Sequence, residues 1–540
     1  MPVLDTVSGN IKIIKLNTKL DCLRMSEKLF KSTAIVSSMT FLSRTLGFIR
    51  DIVIARLFGA GLGTDVFFVA FKIPNFLRRL FAEGAFSQAF IPVLAEYRER
   101  GDHDLKGLIA STSGTLAGIL FIISAIGVIT APIIIILFAP GFINQPEKLS
   151  LAGELLTITF PYLFFISLTA LAGSILNSFG KFAVPAFTPV FLNISLIGSA
   201  IWLSPYFEQP ITALAWGVFI GGFVQLMFQI PFLMGINQLT RPRWDRQNSG
   251  VKKIFKLMIP AMFGVSVSQI NLLLDTLLAS FLVTGSISWL YYSDRLVELP
   301  LGVFGIAIAT VILPSLSKKH ASKSTVAFSN TIDWALRWVF IIATPAAIGL
   351  IYLAEPLLIT LFQYGEFSAG HAYQASLSLK AYALGLLPFI FIKILAPGYY
   401  ARQDTKTPVK IGIIAMVSNM VLNIILMLQF AHVGLALATT LSAGLNSYLL
   451  YRGLRKINVY EPNHGWANFM FKLMLPNIGL FSVLFFLSPD ISTWLDSDVW
   501  NRGVMLMGII ITAAIVYFIL LHMVGVKIKH LLRPISTTED

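Results

Sequence analysis

Apolar runs of roughly 20 residues recur along the chain from Ser32 to Val526, separated by short stretches rich in Gly, Pro and charge. Each run is long enough to cross the roughly 30 Å hydrocarbon core of a bilayer as a helix. The runs are continuous rather than alternating, which excludes a β-barrel. The pattern predicts fourteen spans, near 32–57, 64–96, 107–138, 151–178, 184–204, 211–236, 254–282, 286–316, 326–353, 372–400, 408–429, 432–451, 470–488 and 500–526.

The interior of the pattern repeats once. "AFSQAFIPVL" (85–94) in the second span resembles "AIATVILPSL" (307–316) in the eighth, which sets Pro92 against Pro314 at an offset of 222. Pro185 and Pro408, where the fifth and eleventh spans begin, lie 223 apart. Two six-span halves therefore share one orientation and leave the last two spans outside the repeat. Paired bundles related by an axis along the membrane normal are a transporter architecture, with the expected site at the repeat interface near the midplane.

Composition agrees. Only 13% of the 540 residues are charged and 56% are hydrophobic, where soluble chains carry about 25% charged residues. The net charge of +14 would suit nucleic acid if it formed one surface, but its distribution is a topology signal. Counting span ends with the connections they adjoin, one side holds twenty-nine of the 41 lysines and arginines, the other side holds only Lys148 and Arg502, and ten lie deeper within spans. By the positive-inside rule both termini are cytoplasmic and the span count is even. The first 30 residues lack an apolar core before a small-residue cleavage site, so they are no secretory signal. Residues 1–24 read as a basic extension, with Met25 an alternative start to Met1. Cys22 is the only cysteine, so no intramolecular disulfide forms.

Charges inside the spans carry the chemistry. The first span has Arg44, Arg50, Asp51 and Arg56; the second has Asp65, Lys72, Arg78, Arg79 and Glu83; the eighth has Asp294, Arg295 and Glu298. A centrally placed arginine costs about 3 kcal/mol on the lenient insertion scale, and such residues normally face a bundle interior or a wet cavity. Arg56, Asp65 and Lys72 lie near span ends, where snorkelling or pairing accounts for them. Arg79 with Glu83, Asp294 with Glu298, and Arg295 with Glu298 are spaced for intrahelical contact. Even so, Arg44, Arg50, Arg78, Arg79 and Arg295 outnumber Asp51, Glu83, Asp294 and Glu298. Arginine also offers forked donors to phosphate or carboxylate. This surplus points to an anionic ligand.

Enzyme readings find little support. "GAGLGT" (59–64) lacks the Lys-Ser/Thr of a P-loop and reads as a tight turn. The seven histidines show no zinc spacing, and His432 reads as a polar interface residue. No cofactor is called for beyond coupling to Na+ or H+. For that role Asp275 stands alone in the seventh span. Asn419 and Asn423 share a face of the eleventh, and Thr439 lies in the twelfth. The competing reading of these groups is polar contact between helices.

"SSMTFLSRTLGFIRD" (37–51), "TDVFFVAFKIPNFLRRLFAEGAFSQAFIPVLAEY" (64–97), "YYSDRLVELPLGVFGIAIATVILPSLSK" (291–318) and "KILAPGYYARQDTKTPVK" (393–410) closely resemble the MurJ (MviN) lipid II flippases. That family belongs to the multidrug, oligosaccharidyl-lipid and polysaccharide exporter superfamily. The similarity runs from about Met25 to Val526. It implies an all-α integral membrane protein of fourteen helices: two pseudo-symmetric six-helix lobes and a C-terminal pair flanking a groove for the lipid tail. On this chain the divisions fall at 1–30 (extension), 31–245, 246–457 and 458–540. By motif, the family's cavity arginines fall on Arg44, Arg50, Arg78 and Arg295, and its acidic partners on Asp65, Glu83, Asp294 and Glu298. The resemblance implies transport of undecaprenyl-diphosphate-linked peptidoglycan precursor across a bacterial inner membrane by a multi-pass, functionally monomeric flippase, without nucleic acid; whether it works alone or beside cell-wall synthases stays open. Two alternatives remain: a flippase for another polyprenyl-diphosphate oligosaccharide, which shares the diphosphate, and a drug/cation antiporter, which the arginine surplus disfavours.

Overall fold

A computed structural model describes residues 35–80 and 86–526 of the chain. The 1–30 extension, Glu83 and the tail after Val526 lie outside the described residues. Among the described residues the secondary structure is helical, with no strand. Ten helices are long and apolar enough to cross a membrane. One of them, Lys406–Lys456, reverses at Ala431, whose backbone (φ 50, ψ −129) is not helical, so it comprises two rods. Three further stretches carry more charge or are interrupted: 35–58, Leu62–Arg78 followed by Ser87–Arg100, and Ser249–Ala279. These rods are consistent with fourteen spans. The surfaces of many are greasy: Phe121, Ile129, Leu428 and Phe486 are 66%, 79%, 79% and 79% exposed, as suits a surface that faces lipid.

The repeat leaves a mark on backbone geometry. The second span turns π-helical at Arg79 and Leu80, and the eighth at Leu301–Gly305. The first residues of these turns are 222 positions apart, the offset seen in the sequence. Pro74, Pro92 and Pro314 sit inside helices, and Pro300 directly precedes the second π turn. Proline removes a helical N–H and a π turn takes up the extra residue, so these departures from the α-helical ladder have a local cause.

The chain forms two compact units. Unit 1 comprises residues up to Arg50, Leu77–Ile129 and Thr157–Met262; unit 2 comprises Asp51–Phe76, Thr130–Leu156 and Phe263–Asp540. In unit 1 the Thr212–Gly235 helix packs on Tyr162–Ser178 and on Pro189–Gly198. Glycines allow this approach: a Cβ at Gly222 would meet the Tyr162 ring at 2.7 Å.

In unit 2 the "GAGLGT" segment is indeed a tight turn. Gly59 has φ +66, and a Cβ there would meet the Glu366 carbonyl oxygen at 2.5 Å. The backbone of Glu366 donates to the Arg56 carbonyl at 3.0 Å, and Gly141 N donates to Ser280 Oγ at 3.0 Å. The C-terminal pair, Trp466–Leu487 and Val499–Met523, packs together and is tied down at both ends. Buried Asp333 accepts from Tyr460 Oη, Asn463 N, Trp466 Nε1 and Arg337 Nε at 3.0, 3.1, 2.6 and 2.8 Å. Arg502, 5% exposed, donates to the carbonyls of Gln363 and Leu495 at 3.2 and 2.8 Å.

Candidate functional site

Each unit carries its own set of intramembrane charges. In unit 1, Arg44 is exposed on helix 35–58. Arg50, one turn and a half further on and half-buried, donates Nη1 to Asn193 Oδ1 at 3.1 Å. Asn193 is itself buried, and its Nδ2 donates to the Ser43 carbonyl at 3.0 Å. One asparagine on Pro189–Gly198 thus holds both the backbone of the first helix and the guanidinium it carries. A lone asparagine in the apolar run 184–204 was the available sequence signal, since polar side chains in such helices bond across them. Arg78 and Arg79 lie where the second span becomes π-helical, the first half-buried and the second exposed. Such turns recur at functional sites because they re-aim side chains.

Unit 2 gathers Asp51, Arg295 and Glu298. Asp51 is 1% exposed; Tyr291 Oη donates to its Oδ1 at 2.9 Å, and Arg295 Nε lies 3.5 Å from its Oδ2. That last contact is an ion pair by distance without hydrogen-bond alignment, because Nε has no hydrogen-bond partner. Arg295 Nη1 donates to Glu298 Oε2 at 2.6 Å, the i,i+3 contact its spacing allows. The guanidinium also covers the Tyr291 ring at 4.8 Å, and Phe68 stacks on that ring. Asp294 and Glu298 are exposed. Tyr291 and Phe68 were not singled out from sequence, although both lie inside the quoted motifs.

Asp65 sits apart from these groups, with the work of a helix cap. Buried at 2% exposure, it accepts from Gly285 N at 2.6 Å, Ser288 N at 2.9 Å and Ser288 Oγ at 2.7 Å. Helix N-termini leave N–H groups unpaired and carry partial positive charge, so a carboxylate brought from the start of Leu62–Arg78 satisfies the first turn of Ser286–Pro300.

The remaining candidates form one polar chain in unit 2. Asn423 Nδ2 donates to Asp275 Oδ1 at 2.7 Å and to Asn419 Oδ1 at 2.9 Å. Asn419 Nδ2 reaches Thr439 Oγ1 and Ser442 Oγ, both at 3.4 Å. Asn419 and Asn423 are fully buried, and Asn423 Oδ1 has no hydrogen-bond partner. The chain serves as it stands as polar contact between helices, with one spare acceptor beside a carboxylate. His432 bonds the Gln374 carbonyl at 3.0 Å. No group of three or more His, Cys, Asp or Glu suited to a metal occurs among the described residues.

The family model described as "Lipid II flippase MurJ" matches residues 54–517. The "Probable lipid II flippase MurJ" of Haemophilus influenzae is 53% identical over 508 residues, covering 92% of this chain and 99% of that protein. Among solved structures, "Lipid II flippase MurJ, inward closed conformation" aligns with a TM-score of 0.76 at 29% identity, over 93% of this chain and 100% of its own. An inward-facing multidrug resistance MATE family transporter aligns at a TM-score of 0.62 and 14% identity, over 79% of this chain and 98% of its own, a likeness of fold alone. With the family model spanning most of the chain and a full-length relative identical at more than half of the aligned positions, the chain belongs to the lipid II flippase MurJ family.

Proposed function

We propose that this chain is a lipid II flippase, a transporter rather than an enzyme. It moves undecaprenyl-diphosphate-linked peptidoglycan precursor from the cytoplasmic to the outer leaflet of a bacterial inner membrane by alternating access. Family membership supports the substrate. The observation that carries the chemistry is the set of arginines in unit 1: Arg44 and Arg79 exposed, Arg78 half-buried, and Arg50 held by Asn193. Moving a bare diphosphate through hydrocarbon is prohibitive, and guanidinium groups supply forked, charge-assisted partners for it. Unit 2 carries a fifth such group of its own, Arg295, held by Asp51, Tyr291 and Glu298.

Both termini are cytoplasmic in this reading, and residues 31–245 and 246–457 act as the two transport lobes. The near absence of basic residues from one side supports the orientation. Lys148 and Arg502, the two exceptions, are buried at 2% and 5% exposure, so neither adds a free charge to a loop. Asp65 acts as a gate residue: its bonds to Gly285 and Ser288 hold that end of unit 2 together and must break if it opens. Asp275 with Asn419, Asn423 and Thr439 couples transport to a Na+ or H+ gradient. Lipid II and membrane lipids are its partners, with cell-wall synthases beside a functional monomer.

The test is translocation of labelled lipid II in cells depleted of the native protein and complemented with Arg44→Ala, Arg50→Ala or Arg78→Ala. Each variant should insert normally and lose most translocation. Full translocation by all three would sink the diphosphate-binding role. Accumulation of a different glycolipid on depletion would redirect the substrate to another polyprenyl-diphosphate oligosaccharide.

A further inference from the structure

Lys380, on the Ala369–Leu384 helix, stands in an otherwise apolar crevice of about 510 Å³ walled by Ile351, Leu377, Leu384, Phe430 and Val433. Leu384 and Phe430 on its rim are 57% and 50% exposed, so the crevice opens at the surface of unit 2. Lys380 is half-buried, and among the described residues no carboxylate pairs with it. None of the transport chemistry above uses it.

A lysine within a span ordinarily lifts its ammonium to the headgroup level along its flexible stem. The crevice reaches Phe430 and Val433, on either side of the Ala431 reversal, so the ammonium stands near an end of the neighbouring rods with apolar side chains around it. An anion that arrives with its own apolar body satisfies both the charge and the walls. The crevice fits such a molecule: one cation, no other charged group on its walls, and a volume in the range of about 300–1,000 Å³ typical of small-ligand sites. A free phosphate would leave the apolar walls unused, and a neutral lipid would leave the lysine unpaired.

We propose that the Lys380 crevice is a binding site for one anionic phospholipid, with the headgroup on the ammonium and an acyl chain along Leu377, Leu384 and Phe430. This site is independent of the transported substrate and of the arginines.

Native mass spectrometry of the full-length protein with phosphatidylglycerol and with phosphatidylcholine of the same acyl chains tests it. Wild type should retain one phosphatidylglycerol at least about fivefold more tightly than Lys380→Gln, in line with a single lysine–anionic lipid contact. Lys380→Arg should keep the site. Leu384→Trp, a rim substitution that fills the crevice without removing the charge, should lose it. Equal phosphatidylglycerol retention by wild type and Lys380→Gln would overturn the proposal, as would equal retention of phosphatidylcholine by wild type.

Discussion

Arg50 donates to a buried asparagine whose own amide is anchored on the Ser43 carbonyl, so two hydrogen bonds in series help to orient this guanidinium. A hydrogen bond to a charged group is worth about 1.5–3 kcal/mol. Asn193→Leu preserves the apolar packing of its helix but removes this hydrogen bond to Arg50. Translocation should fall by about tenfold or more in a lipid II flipping assay while membrane insertion stays at the wild-type level; unchanged flipping would mean that Arg50 needs no such support. Asp275 poses the opposite problem, since its polar chain is complete as helix-to-helix contact except for Asn423 Oδ1. Asp275→Asn keeps the size and removes the charge. If the coupling role holds, dependence of flipping on the sodium or proton gradient weakens and lipid II binding stays intact. A variant with the parent's gradient dependence would leave Asp275 as a structural residue.

Between elements, Asp65 replaces a cap that the Ser286–Pro300 helix cannot supply for itself, because Gly285 at its N-cap has φ +99 and no side chain. Three donors converge on one buried carboxylate, and leaving such donors unpaired costs about 1–3 kcal/mol. Asp65→Ala should therefore lower the thermal midpoint of the detergent-purified protein by several degrees. Ala substitution at exposed Asp294 should leave the midpoint near wild type. A midpoint for Asp65→Ala equal to that of Asp294→Ala would show that the cap adds no stability. The π turns at Arg79–Leu80 and Leu301–Gly305 are the other feature at this scale. They occupy matching places in the two halves, and the first begins at the second of the paired arginines.

For the whole molecule, orientation follows from where charge can cross. Cys22 is the only cysteine, so a Cys22→Ser background allows single reporters at exposed positions. Asn144→Cys and Asp490→Cys should react with an impermeant maleimide added to intact cells or spheroplasts, and Lys181→Cys and Gln403→Cys only after permeabilisation. The reverse pattern would invert the proposed topology. The same experiment bears on the burial of Lys148 and Arg502, because two basic residues held inside the protein cannot counter the bias of the remaining loops.

The membrane-spanning helical class, the repeat offset and the identity of the charged residues were legible in the sequence. Hydropathy acts through windows of neighbouring residues, and a charge in such a window is conspicuous wherever it points. Partners were less legible. The pairing of Arg295 with Glu298 followed from spacing within one helix, whereas Asn193 with Arg50, Tyr291 with Asp51, and Asp65 with Ser288 join residues 143, 240 and 223 positions apart. The role of Asp333 as an anchor for the C-terminal pair was hidden for the same reason: its acceptors are filled mostly by donors more than 120 residues away. By itself the sequence determined which groups had to be shielded from lipid, because that cost belongs to each side chain. Only the tertiary structure decided what shields them, because a hydrogen bond depends on distance and direction that helices acquire when they pack.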